Sequence, residues 1–110
     1  METRYRIADI KRQNAEAGQH FFERSTMRFF DSRIESQPYH GPGGIYFITS
    51  EQFHGSQGSA PRKYTIRQFN PENGHVWTAS EFNKLDCIDD AREAARSLAG
   101  EVKRGTSNKP

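Results

Sequence analysis

Apolar positions along the chain first recur at helical spacing. Between Tyr5 and Ala17, Ile7, Ile10 and Ala17 fall near one face while Lys11, Arg12 and Glu16 turn toward solvent, and Gly18 follows as a natural stop. This predicts an N-terminal helix that is too short to persist unless it docks. The next stretch, His20 to Ile34, mixes periods. Phe21-Phe22 suit the opening of a strand, Ser25 suits the cap of one helical turn carrying Met27 and Phe30, and Ile34 suits a following strand. Gln37 to Gly44 is a turn by composition, because Pro fixes φ and Gly permits positive φ. Ile45-Tyr46-Phe47-Ile48-Thr49-Ser50 is β-branched and aromatic on both alternations, which predicts a central strand covered on both faces and ending near Phe53. His54 to Pro61 is rich in Gly and Ser and predicts a mobile surface loop.

Alternation returns from Lys63 to Phe69, with Tyr64 and Ile66 on one side and Thr65 and Arg67 on the other, as in a half-buried strand. Asn70-Pro71-Glu72-Asn73-Gly74 has the composition of a hairpin loop with Gly74 in the left-handed closing position, and Val76 to Phe82 is its partner strand. Helical spacing resumes with Ile88, Ala91, Ala95, Leu98 and Val102 as the buried stripe. Asp89 or Asp90 opens this helix, Asp90 and Glu93 have capping-box spacing, and Gly100 frays its end. The sum is an α+β fold: an N-terminal helix, an antiparallel sheet of three to four strands, and a C-terminal helix packed on the sheet. One domain is expected over residues 1–104, with Gly105 to Pro110 as a disordered tail.

Composition sharpens this outline. Only 33% of the 110 residues are hydrophobic, so the core must be thin, yet eight Phe, four Tyr and one Trp bury large areas per side chain. The formal charge is +2, with the two signs interspersed and the basic residues reduced to short pairs such as Lys11-Arg12 and Lys103-Arg104. That is not the dense basic stripe of a sequence-independent nucleic-acid binder. A single cysteine, Cys87, points to a reducing compartment, and cytoplasm is the expectation. No apolar run approaches the ~20 residues of a membrane span, and Met1-Glu2-Thr3-Arg4 leads into a polar helix, so neither export nor membrane insertion is expected.

Catalytic and metal signatures are weak. His20, His40, His54 and His75 lie in or beside turns and never at the spacing that sets two ligands on one helical face, so no metal and no cofactor are expected. Cys87 precedes a helix, a setting that favours a thiolate, but no histidine partner is placed beside it by the sequence. His40-Gly41-Pro42-Gly43-Gly44 lacks the order of a phosphate loop and precedes a strand. The pairs Asp31 with Glu35, Glu72 with Glu81, and Asp89 with Asp90 are explained by turns, surface and caps. The expectation is a protein that is not an enzyme.

Two surface constellations remain as candidate partner-binding residues. Arg24, Arg28 and Arg33 interleave with Phe22, Phe29 and Phe30, a combination suited to a protein interface or to bases and phosphates. The plainer reading makes the aromatics core and the arginines their solvated side. Arg62, Lys63 and Arg67 with Lys84 form a possible basic edge on the hairpin.

The helix, strands, helix order resembles the double-stranded RNA-binding domain, and Asp90-Ala91-Arg92-Glu93-Ala94-Ala95-Arg96-Ser97-Leu98 is similar to its closing Ala-rich helix. That family places lysines at the start of the helix to grip phosphates, where this chain has Asp89-Asp90. The phrases Thr26-Met27-Arg28-Phe29-Phe30-Asp31-Ser32-Arg33-Ile34, Tyr46-Phe47-Ile48-Thr49-Ser50-Glu51-Gln52-Phe53 and Tyr64-Thr65-Ile66-Arg67-Gln68-Phe69-Asn70-Pro71-Glu72-Asn73-Gly74 resemble an uncharacterised family of small phage and bacterial proteins. That resemblance implies a mobile-element accessory protein. The expected function is a non-catalytic protein-binding module, an inhibitor of a host defence complex such as CRISPR-Cas. The alternative is a nucleic-acid-binding module.

Overall fold

The computed structural model describes residues 5–100. Within them the elements run α1 (Ile7–Glu16), α2 (Arg24–Phe29), β1 (Arg33–Ile34), β2 (Tyr39–Gly41), β3 (Gly44–Glu51), β4 (His54–Gly55), β5 (Gly58–Ser59), β6 (Lys63–Asn70), β7 (His75–Thr78) and α3 (Ile88–Ala99). The class is the α+β one that the pattern predicts: an N-terminal helix, an antiparallel sheet and a C-terminal helix packed on it. β3 and β6 form the spine, antiparallel from Ile45 opposite Phe69 to Glu51 opposite Lys63. β7 pairs with the far side of β6, while β1 and β2 share the free edge of β3 and make the main sheet 5-stranded.

Helices cover both faces of this sheet, which is why β3 is apolar on both alternations. Tyr46, Ile48 and Ile66 pack with Ala91, Ala95 and Ala99 of α3. On the opposite side of the pleat, Phe47 and Phe69 pack with Ile7 and Ile10 of α1. Each fully buried Ile or Phe contributes roughly 1.5–3 kcal/mol, so two small clusters suffice for a chain of this hydropathy. The alanines of α3 permit close approach: a Cβ on Gly41 or Gly43 would run into the carbonyl oxygens of Ala99 or Leu98. α1 is fastened by Asn14, 1% exposed, whose amide donates to the Gly74 carbonyl oxygen at 2.8 Å and accepts from the Phe21 amide at 3.2 Å.

Several local expectations change. The turn expected over 37–44 contains β2, which closes on β3 with Gly41 opposite Gly44. The loop expected over 54–61 is a two-stranded ribbon, β4 with β5, exposed throughout. The return strand of the hairpin stops at Thr78, and the chain bulges away before Leu85 bridges back to Tyr64. α2 begins after Glu23 rather than at a Ser25 cap. α3 begins at Ile88 with Cys87 as N-cap, and the spacing of Asp90 and Glu93 makes no capping bond; Asp89 and Asp90 sit in the first turn, where the helix dipole favours them. Leu98 is 41% exposed and Ala99 takes its place in the stripe, while Gly100, at φ 76°, ends the helix. Val102, the Lys103-Arg104 pair, the tail 105–110 and the first four residues lie outside the described residues. No helix among the described residues is long and apolar enough to cross a membrane.

Candidate functional site

The face of the sheet that α1 covers turns polar beyond Phe47, where Thr49, Glu51, Thr65 and Arg67 continue it. A carboxylate with no exposed surface and a guanidinium 8% exposed must satisfy each other there. Glu51 Oε2 accepts from Arg67 Nη2 at 2.9 Å and from the Thr49 hydroxyl at 2.6 Å. Its Oε1 accepts from the Thr65 hydroxyl at 2.7 Å and from the Asn83 amide at 3.3 Å. Arg67 Nε donates to Thr49 Oγ1 at 2.9 Å and Nη1 to Thr78 Oγ1 at 2.6 Å. Burial pushes the Arg67 pKa below its ordinary value and the Glu51 charge pulls it back up; an arginine there remains charged.

The same guanidinium is sandwiched between rings, 5.1 Å from the Phe21 centroid and 5.4 Å from that of Phe82. Two pieces of irregular backbone put those rings in place. Phe21 follows the α1 stop and its amide is held by Asn14. Phe82 sits on the bulge after β7, whose anchor is Asn83 at φ 57°; its amide donates to the Glu51 and Lys63 carbonyl oxygens at 3.0 and 3.3 Å. The result is a groove of about 370 Å³ between α2 and the sheet, with Arg67, Phe21 and Phe82 at its base and Ser25, Thr26, Phe29 and Phe30 along its side.

A row of rings continues from the groove onto the surface. Phe30 contacts Phe29, Phe82 and Phe53 at centroid distances of 4.6, 5.1 and 5.3 Å. Phe29 is 77% exposed and Phe53 42%, so the reading of these aromatics as core is corrected: only Phe22 and Phe30 of the three interleaved with arginines are half-buried. Polar contacts tie the row to the neighbouring strands. Asp31, at φ 49°, accepts from Arg62 and meets His54 Nε2, each at 3.0 Å, and Gln52 N donates to the Phe30 carbonyl oxygen at 2.9 Å. The bond to His54 leads the causes that hold the Asp31 carboxyl below its ordinary value, with Arg62 adding to it.

The sequence candidates divide accordingly. Arg24 and Arg28 are exposed and, four residues apart on α2, share a stripe next to the Ser25 and Phe29 stripe. Arg33 is exposed on β1 and its charge acts on Asp31. The basic edge does not assemble as expected, because Arg62 bonds Asp31 and Ser50 and Arg67 is turned inward to Glu51. Lys63 pairs with Asp86 at 3.4 Å, leaving Lys84 as its exposed member. Glu51, Thr49, Asn83 and Phe82 carry the site and were missed. The available signal was parity: Arg67 shares a face with Phe69, which any core would claim.

Cys87 is exposed at the start of α3. The described residues contain no group of three His, Cys, Asp or Glu side chains that could hold a metal. Comparison with known proteins finds that residues 6–96, more than half of the chain, match the model of a family of unknown function, DUF7447. No curated protein and no solved structure matches.

Proposed function

We propose that this chain, which belongs to the DUF7447 family of unknown function, is a non-catalytic module that binds a protein partner through its aromatic row. The observation that carries the reading is Phe29, 77% exposed yet packed edge-on against Phe30, in a row that a buried ion pair and the Asp31 clasp hold in place. Pre-ordered aromatics lose little entropy on docking, and aromatic and arginine side chains dominate interface energetics. The side chains of Arg24 and Arg28 flank the row without a hydrogen bond or ion pair to any described residue. The resemblance to small phage and bacterial proteins extends the reading to an inhibitor that occupies the working surface of a host defence complex. A second reading, nucleic-acid binding, draws on the same exposed arginines beside a ring free to stack.

Affinity capture from host lysate with the wild type and with Phe29→Ala tests the proposal. The expected result is a stoichiometric protein partner whose affinity falls by about tenfold or more in the variant, the loss of a hot-spot residue. A partner retained equally by both, or none with either, overturns it. Steep loss of oligonucleotide binding between ~50 and ~200 mM salt transfers the case to the second reading.

A further inference from the structure

We infer that the groove over Arg67 is an anchor pocket for a main-chain or amide carbonyl oxygen with an apolar side chain beside it, carried by a segment of a protein partner. The inference rests on the reading of this face as a docking surface and adds the chemistry of what enters it. An arginine has five N–H donors, and the bonds to Thr49, Thr78 and Glu51 use three. Two N–H groups therefore have no acceptor among the described residues, on a side chain 9% exposed that lines the groove. A poorly solvated N–H without a protein acceptor favours an incoming oxygen, an interaction that apolar contact alone would not supply.

The same geometry selects a neutral acceptor over a carboxylate. Glu51 already neutralises Arg67 at 2.9 Å, and a second carboxylate on that guanidinium would face the first across one cation in a poorly hydrated site. A carbonyl oxygen brings no net charge. The lining rings, Phe21, Phe29, Phe30 and Phe82, suit an apolar side chain, and the Ser25 and Thr26 hydroxyls along its side suit the adjoining peptide group. A nucleobase fits less well: its acceptor oxygens are set in a polar ring, whereas a peptide segment carries its oxygen next to a separate apolar side chain that the lining rings can take.

The test uses the full chain and three small probes: N-acetyl-phenylalaninamide, benzoate and uridine. The reporters are the Arg67 Nε–H and the Phe21 and Phe82 ring resonances in nuclear magnetic resonance titrations. The expected result is saturable movement of all three reporters with the amide, binding about tenfold or more weaker for benzoate and uridine, and loss of the amide response in Thr26→Trp, which fills the groove from an exposed helix position. A Thr26→Trp chain that melts like the wild type establishes that the loss is local, and Ser25→Trp serves if it does not. No saturable response to the amide, an equal or stronger response to benzoate or uridine, or a response unchanged in the filled variant overturns the inference. Capture of a partner sensitive to Phe29 together with silent probes would refute the pocket and leave the docking row standing.

Discussion

Glu51→Gln isolates the interaction on which the groove depends. The amide keeps the shape of the carboxylate but has one acceptor oxygen, whereas Glu51 receives four side-chain donors. If the new NH₂ faced Arg67 Nη2, donor would meet donor beside a bare cation, so it turns to the Oε1 side. There the Thr65 hydroxyl can rotate to accept, and the Asn83 amide gives up one of its two 3.3 Å bonds. What remains is an uncompensated guanidinium 8% exposed. Removing one member of a buried pair costs about 3–5 kcal/mol, and the retained oxygen places this change near the lower end, about 3 kcal/mol. For a denaturant slope of about 1–3 kcal/mol per molar, the urea midpoint falls by about 1–3 M. Arg67→Met alone strands the fully buried carboxylate, while Glu51→Gln with Arg67→Met removes both charges. The double variant should therefore fall short of the sum of the two by about 2–3 kcal/mol. A loss below about 1 kcal/mol for Glu51→Gln, or simple additivity of the pair, refutes the reasoning.

Three further perturbations probe the frame around the groove. Asp31 has a folded pKa below its ordinary 3.8, so its contribution is present above that value and disappears as pH falls through the depressed one. Urea midpoints of Asp31→Asn should lie below the wild type at about pH 6 and converge with it near about pH 2; a gap independent of pH contradicts the clasp. Gly18→Ala meets no atom within 4 Å and carries only the left-handed backbone penalty, about 1–2 kcal/mol, whereas a Cβ on Gly74 would lie 2.7 Å from the Gln13 carbonyl oxygen, so Gly74→Ala should be clearly the more destabilising in thermal melts. Asn14→Ala strands the Gly74 carbonyl and the Phe21 amide, with an expected loss of about 2–3 kcal/mol and broadened Phe21 ring resonances; sharp, unshifted resonances would show that Asn14 does not position that ring.

How much of this was legible in the sequence depends on whether a signal was periodic. α1, β3, the β6–β7 hairpin and α3 follow repeats of apolar residues and were placed to within a few positions. β2, β4 and β5 are two or three residues long and rich in Gly, so they have no period to read and exist because a neighbouring strand offers its edge. The helix boundary at Cys87 escaped the cap rules because the stripe residue Ile88 is already helical and packs against the core. Phe29 and Phe53 defeat composition itself, which counts rings but does not say which of them are left outside.

Arg67 shows where the sequence held more than alternation alone extracts. Reading Tyr64 and Ile66 as the inner face of β6 makes Arg67 a solvent residue, but Phe69 has the parity of Arg67, and a strand with apolar residues on both parities is covered twice. On such a strand a cation must find an anion on a neighbouring strand of the same face. β3 supplies one, Glu51, and the two long side chains meet over the Thr49 and Thr65 rung, whose hydroxyls bond to the carboxylate. Pairing fixes the guanidinium in a plane that Phe21 and Phe82 can sandwich, and its two unused N–H groups are the reason the groove above it favours an oxygen over a purely apolar guest. The polar interior of the sheet and the recognition chemistry proposed for its surface thus derive from one buried arginine, so substitutions at Glu51 should weaken partner binding as well as folding, even though Glu51 itself touches no solvent.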